Sequence, residues 1–122
     1  MIKATNASAM KEKNKRLILN LIRQNNYSRA EIAKETKLTK AAVTIITEDL
    51  IKDRIIFESK SEEKGMGRKP LRLKLNPDFM RAVGLNITRN YAELGIVDIS
   101  GRIICEKRFD VKNKNETISK IV

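Results

Sequence analysis

Residues 28–50, SRAEIAKETKLTKAAVTIITEDL, divide into two short helical patterns around a tight turn. Ser28-Arg29-Ala30-Glu31 reads as a capping box, in which a hydroxyl and a carboxylate reciprocally satisfy the orphan amides of a helix start. Ile32 belongs to the buried side, and Ala33 is small enough to let a following helix cross closely. Glu35-Thr36-Lys37-Leu38 makes the turn, with Leu38 as the apolar plug beneath it. Thr39 caps the next helix, where Val43, Ile46 and Leu50 recur at intervals of three and four. That stripe leaves Lys40, Ala41, Thr44, Ile45 and Glu48 to face outward or sideways. The pattern predicts a helix-turn-helix.

Working outward, Leu17, Ile18, Leu21 and Ile22 repeat at helical spacing between Lys11 and about Asn25, with Lys and Arg on much of the opposite side. Residues 1–10 are small, polar and unpatterned, and read as a flexible start. Downstream, Ile55-Ile56-Phe57-Glu58 and Leu71-Arg72-Leu73-Lys74-Leu75 are β-prone, the second alternating strictly. Between them Gly65-Met66-Gly67-Arg68-Lys69-Pro70 has the composition of a hairpin tip. Residues 11–77 therefore predict a winged helix-turn-helix, three helices plus a β-hairpin wing, an architecture that reads duplex DNA.

Beyond Phe79 the character changes. Ala82–Ile87, Ala92–Asp98 and Arg102–Phe109 are strand-like, with a turn at Asp98-Ile99-Ser100-Gly101. Three strands with short turns make a meander that cannot bury both faces alone. A further helical pattern, Glu116 to Val122, runs to the end of the sequence. Residues 78–122 are thus expected to open a larger domain, the chain being the front end of a longer protein. The fold class expected is α+β.

The charge supports a polyanionic partner. The 122 residues carry 26 Lys and Arg against 15 Asp and Glu, a formal charge of +11. Residues 1–80 hold 18 basic and 10 acidic side chains, a net of +8, which places most of the surplus with the helix-turn-helix. Each phosphate neutralised by such a surface releases condensed counterions. A merely solubilising surface is the plain alternative. One cysteine, Cys105, cannot form a disulfide or a cysteine metal site within the chain, and histidine is absent. No metal and no cofactor is expected in this stretch. No signal sequence is evident at the start, and no run approaches the roughly 20 apolar residues that span a bilayer. A cytoplasmic location without membrane association is the expectation.

Taken together, Ser-Arg-Ala-Glu-Ile-Ala, the Leu-Thr-Lys turn, Gly67-Arg68-Lys69-Pro70 and Leu73-Lys74-Leu75-Asn76-Pro77 resemble the start of ROK-family transcriptional regulators, among them xylose repressors. Val83-Gly84-Leu85-Asn86-Ile87 and Leu94–Gly101 resemble the first strands of that family's actin-like, sugar-kinase-like α/β domain. The resemblance covers residues 14–111. It implies a sequence-specific regulator, a sugar-responsive repressor of carbohydrate-utilisation genes such as those of xylose metabolism. It also implies a homo-oligomer when full length, on palindromic double-stranded operator DNA. The sugar effector would bind the remainder of the protein, and the family's sugar-binding acids and zinc-binding cysteines would lie beyond Val122. Two positions depart from the family: relatives often carry glycine at Arg54, and a polar or basic residue at Ile45.

By this reading Lys40, Ala41 and Thr44 meet base edges from the third helix. Ser28 and Thr39 offer helix starts to phosphate, and Arg29 adds a backbone contact. Helix capping alone is the simpler role for Ser28 and Thr39. In the wing, Gly67, Arg68 and Lys69 precede Pro70 in an order similar to AT-hook peptides, which enter narrow minor grooves; this favours A/T-rich flanks. A sugar kinase is the alternative suggested by the second segment. Kinases of that class carry Asp-x-Gly-x-Thr after the first strand, whereas this chain has Asn86-Ile87-Thr88-Arg89-Asn90. Asn86 stands for the acid and Thr88 for the glycine, so phosphate would meet side chains in place of open amides. No catalytic residue is assigned. A winged helix used only for protein contact is the other alternative, and the basic surplus counts against it.

Overall fold

The computed structural model describes residues 2–62 and 64–111, with side chains from residue 6 onward. It contains three helices, α1 (Ile2–Gln24), α2 (Arg29–Thr36) and α3 (Lys40–Lys52). Five strands follow, β1 (Ile56–Lys60), β2 (Leu71–Leu75), β3 (Arg81–Ile87), β4 (Tyr91–Asp98) and β5 (Ile103–Asp110). The chain divides into two compact units, Met1–Asn76 and Pro77–Val122. The class is α+β, with helices and antiparallel strands in separate stretches.

In the first unit, Ile18 and Ile22 of α1, Ile32 of α2, Val43, Ile46 and Leu50 of α3, Ile56 of β1 and Leu73 of β2 form one buried cluster. At about 25 cal/mol per Å² of apolar surface, each such side chain contributes roughly 1.5–3 kcal/mol. Leu38 packs against the cluster from the α2–α3 turn. That turn is possible because Lys37 takes a left-handed conformation, φ 58°, and ends α2. At the end of α3, Arg54 does the same with φ 60°. Its N–H donates to the Ile51 carbonyl at 2.9 Å and that of Ile55 to the Leu50 carbonyl at 3.0 Å. This pair of bonds is a Schellman ending, which favours glycine where Arg54 stands.

Two sequence expectations change here. Residues 2–10, read as flexible, are helical, and α1 begins at Ile2. Residues 6–13 are exposed, so that stretch presents no buried apolar stripe to read. Ala7 and Ala9 nevertheless favour helix, and no proline or glycine interrupts it. Leu17, counted in the buried stripe, is exposed, and Leu19 packs against the core instead.

β1 and β2 pair antiparallel from Ile56↔Leu75 to Lys60↔Leu71. The hairpin is fixed to the helices on its other edge, where the Leu73 N–H donates to the Tyr27 carbonyl at 2.9 Å. The Arg72 guanidinium meets the Glu31 carboxylate. Glu31 is also the capping-box acid: its carboxylate accepts from the Ser28 N–H at 2.8 Å, and the Ser28 hydroxyl accepts from the Glu31 N–H at 3.3 Å. The Ser28 N–H first, and then Arg72, hold the Glu31 carboxyl below the usual carboxylate range.

The second unit is the expected meander, β3-β4-β5, antiparallel throughout. Its register has Val83 opposite Ile96 and Leu85 opposite Leu94, with an irregularity between Ile96 and Val97. The β4–β5 turn is organised by Asp98, whose buried carboxylate accepts from the N–H groups of Ser100 and Arg102 at 2.9 and 3.0 Å. The Ser100 hydroxyl, then these amides and the Arg102 guanidinium, hold that carboxyl below its ordinary range. The helical pattern expected from Glu116 to Val122 lies outside the described residues.

Candidate nucleic-acid interface

The outer face of α3 follows from its core stripe. Val43, Ile46, Thr47 and Leu50 are buried, which at 100° per residue turns positions 41, 44, 45 and 48 away from the core. Lys40, Ala41, Ile45 and Glu48 are exposed and Thr44 is half-buried. Thr47 can be buried because its hydroxyl donates within the helix, to the Val43 carbonyl at 2.8 Å. Thr39 caps α3, its hydroxyl accepting from the Ala42 N–H at 3.1 Å. Ser28 caps α2 through the box described above, so both hydroxyls have capping roles in the free protein.

The hairpin tip approaches the start of α2. Ser28, Arg29 and Ala30 line a groove of about 500 Å³ together with Glu58 of β1 and Arg68, Lys69, Pro70 and Leu71 of the hairpin. Gly67 has φ 117°, a conformation that side-chain-bearing residues rarely adopt, and open space surrounds it. Arg68, Lys69 and Gly67 are exposed. Of the residues singled out from sequence, the structure therefore gathers Ser28, Arg29, Arg68 and Lys69 around one groove. Thr39, the cap of α3, and Lys40, Ala41 and Thr44 on that helix sit outside that lining, and Gly67 stands at the tip beside it.

Arg29 is more tied than its sequence context suggests. Its guanidinium lies 2.8 Å from the Glu58 carboxylate of β1 and 3.7 Å from that of Glu48 on α3. Its Nε is buried without a hydrogen-bond partner. Sequence reasoning passed over Glu48 and Glu58 in this role, since they are distant in sequence from Arg29 and no local pattern marks the pairing. Lys11 of α1 pairs with Asp49 of α3 at 2.7 Å; each raises the ionised fraction of the other, the shared hydrogen bond first.

No protein-family model matches the chain. It is 33% identical over 108 residues to a putative xylose repressor of Caldicellulosiruptor sp. (strain Rt8B.4), a match that covers 88% of this chain and 27% of that protein. The xylose repressor of Bacillus subtilis is 27% identical over 91% of this chain and 29% of its own length. The DNA-binding transcriptional dual regulator NagC of Escherichia coli K12 is 26% identical over 91% and 28%. Among solved structures, a ROK family transcriptional regulator described as a homolog of the E. coli MLC protein superposes with a TM-score of 0.65 at 23% identity. It covers 92% of this chain and 29% of that one. The chain resembles the amino-terminal part of ROK-family transcriptional regulators. It spans between a quarter and a third of the length of these curated relatives. The relatives are named as repressors or regulators of transcription, and the solved neighbour shares the fold over its matching part. Among the described residues no helix is long and apolar enough to cross a membrane.

Proposed function

We propose that residues 11–77 are a winged helix-turn-helix that binds duplex DNA, as the operator-reading part of a sugar-responsive regulator that represses carbohydrate-utilisation genes. The observation that carries this reading is the groove in which Arg68 and Lys69 of the hairpin face Ser28 and Arg29 at the start of α2. A backbone phosphate suits such a place, which combines a helix start with planar and point cations. The exposed half of α3 then enters the major groove, where Lys40 and Thr44 offer polar groups to base edges and Ala41 leaves room for approach. Ile45, more than half exposed beside them, gives an apolar contact for a thymine methyl. Gly67 and Arg68 enter the adjacent minor groove, favouring A/T-rich flanks where that groove is narrow.

The repressor names of the relatives support negative regulation, and their sugars support a carbohydrate effector bound outside residues 1–122, in an actin-like, sugar-kinase-like domain that residues 78–122 begin. A homo-oligomer of the full protein on a palindromic operator completes the proposal. Phosphoryl transfer is not part of it, because Asn86 and Thr88 stand where kinases of the resembled class carry an acid and a glycine.

Selection of sites from a randomised duplex pool at two salt concentrations tests the reading. Enrichment of an A/T-flanked motif is expected, and Arg68→Ala is expected to weaken binding most on A/T-rich flanks. Binding that stays blind to sequence and disappears with salt would reduce the interface to electrostatic attraction. Equal loss on G/C-rich and A/T-rich duplexes would make Arg68 a phosphate contact only.

A further inference from the structure

We propose that Glu48 sets how strictly the interface discriminates among duplexes, by occupying Arg29 until a correctly placed phosphate displaces it; this rests on the DNA-binding reading above. Arg29 lies at the start of α2 and lines the groove shared with Arg68 and Lys69. Its two carboxylate partners differ. Glu58 is close, 2.8 Å, and its side chain is 28% exposed. Glu48 is farther, 3.7 Å, and its side chain is 64% exposed on the outer face of α3. The Glu58 contact anchors the guanidinium, and the Glu48 contact is the exchangeable one.

The consequence is a local test of register. A guanidinium presents a fixed fork of donors, so it can donate to a phosphate oxygen in place of Glu48 while Glu58 keeps it aimed. On a duplex that seats α3 fully, a backbone phosphate arrives at that fork and gains a charge-assisted bond. On other duplexes the phosphate reaches the fork too loosely to displace Glu48, Arg29 stays bound to both carboxylates, and the bond is not gained. Glu48 thus weakens loose, non-specific association more than it weakens seated binding.

The experiment compares the full chain with Glu48→Gln, Arg29→Gln and the double variant. Each is measured on a duplex enriched from the randomised pool and on a random-sequence duplex of equal length, across salt. Glu48→Gln is expected to tighten binding to the random duplex about fivefold at 0.15 M salt and to steepen its log–log salt slope by about 0.9, the effect of one added phosphate contact. The enriched duplex should change less than twofold, and the gain on random DNA should vanish in the Arg29→Gln background. Equal tightening on both duplexes, no change on either, or persistence of the gain without Arg29 would each overturn the proposal. Because Glu48 is exposed, the first two outcomes can be read from its single substitution even if Arg29→Gln fails to fold. A wild-type chain that binds with salt dependence but enriches no motif would overturn the proposal and leave DNA binding intact. Absence of salt-dependent binding by the wild type would instead overturn the DNA-binding reading itself.

Discussion

The two units solve the problem of burial differently. In the first, Ile18, Ile32, Val43, Leu50, Ile56 and Leu73 are all at or below 1% exposure, and every element contributes to the same cluster. In the second, Ala92 and Asp98 are the buried side chains among the described residues, while Val83, Leu85, Ile87, Ile103 and Ile104 remain exposed. The first unit is held by packing. The second is held by its ladder of backbone hydrogen bonds and by turns tied with Asp98 and Thr88. The same kind of apolar substitution therefore has unequal consequences in the two places.

Substitutions can break or sharpen this contrast. Leu50→Ala should have the largest effect, destabilising the helical unit by about 2–5 kcal/mol as a truncated, fully buried leucine; chemical denaturation of the whole chain followed by helical circular dichroism measures it. A loss below about 1 kcal/mol would show that the cluster is not the unit's main support. Arg54→Gly should act in the opposite direction, with a gain of about 0.5–1 kcal/mol. It relieves a left-handed penalty of about 1–2 kcal/mol and adds about 0.5–1 kcal/mol of glycine backbone entropy. The same denaturation experiment reads it, and a loss would mean that the Arg54 side chain holds contacts worth more than the strain.

The closed unit should also depend on acid through Glu31. Its folded carboxyl ionises below the unfolded range, so its stabilisation is complete at neutral pH, declines as pH falls below about 4.3, and is gone beneath the folded value. Glu31→Gln should flatten that acidic decline in thermal melts between pH 7 and pH 2.5. An unchanged profile would assign acid sensitivity to other carboxylates. The smallest effect belongs to the sheet: Val83→Ala, at an exposed position, should change stability by no more than about 0.5 kcal/mol. A loss several times larger would show that this face is covered in solution.

Much of this was legible in the sequence where a pattern is local. The capping box at Ser28 and Glu31, the cap at Thr39, the stripe of Val43, Ile46 and Leu50 and the strict alternation of Leu71 to Leu75 each depend on neighbours within four residues. The α1 extension was missed for a related reason, since the exposed residues 6–13 leave no apolar period to read. The site was legible in part. Hairpin glycines and cations mark themselves, whereas the Arg29 contacts with Glu48 and Glu58 join residues from three elements and have no spacing to betray them. Ile45 likewise announces nothing about its exposure until the stripe beside it is fixed.

One tether between the hairpin and the helices bears on how this architecture can vary. The bond from Leu73 to Tyr27 and the Arg72–Glu31 pair clamp β2 to the helices, so the stretch between β1 and β2 hangs from a fixed base. Closing a flexible loop becomes only about 0.6 kcal/mol harder for each doubling of its length. Insertions or deletions near Gly65 and Gly67 would then lengthen or shorten the reach of Arg68 almost without thermodynamic penalty, and evolution or an engineer could retune the hairpin's span while the core stays untouched.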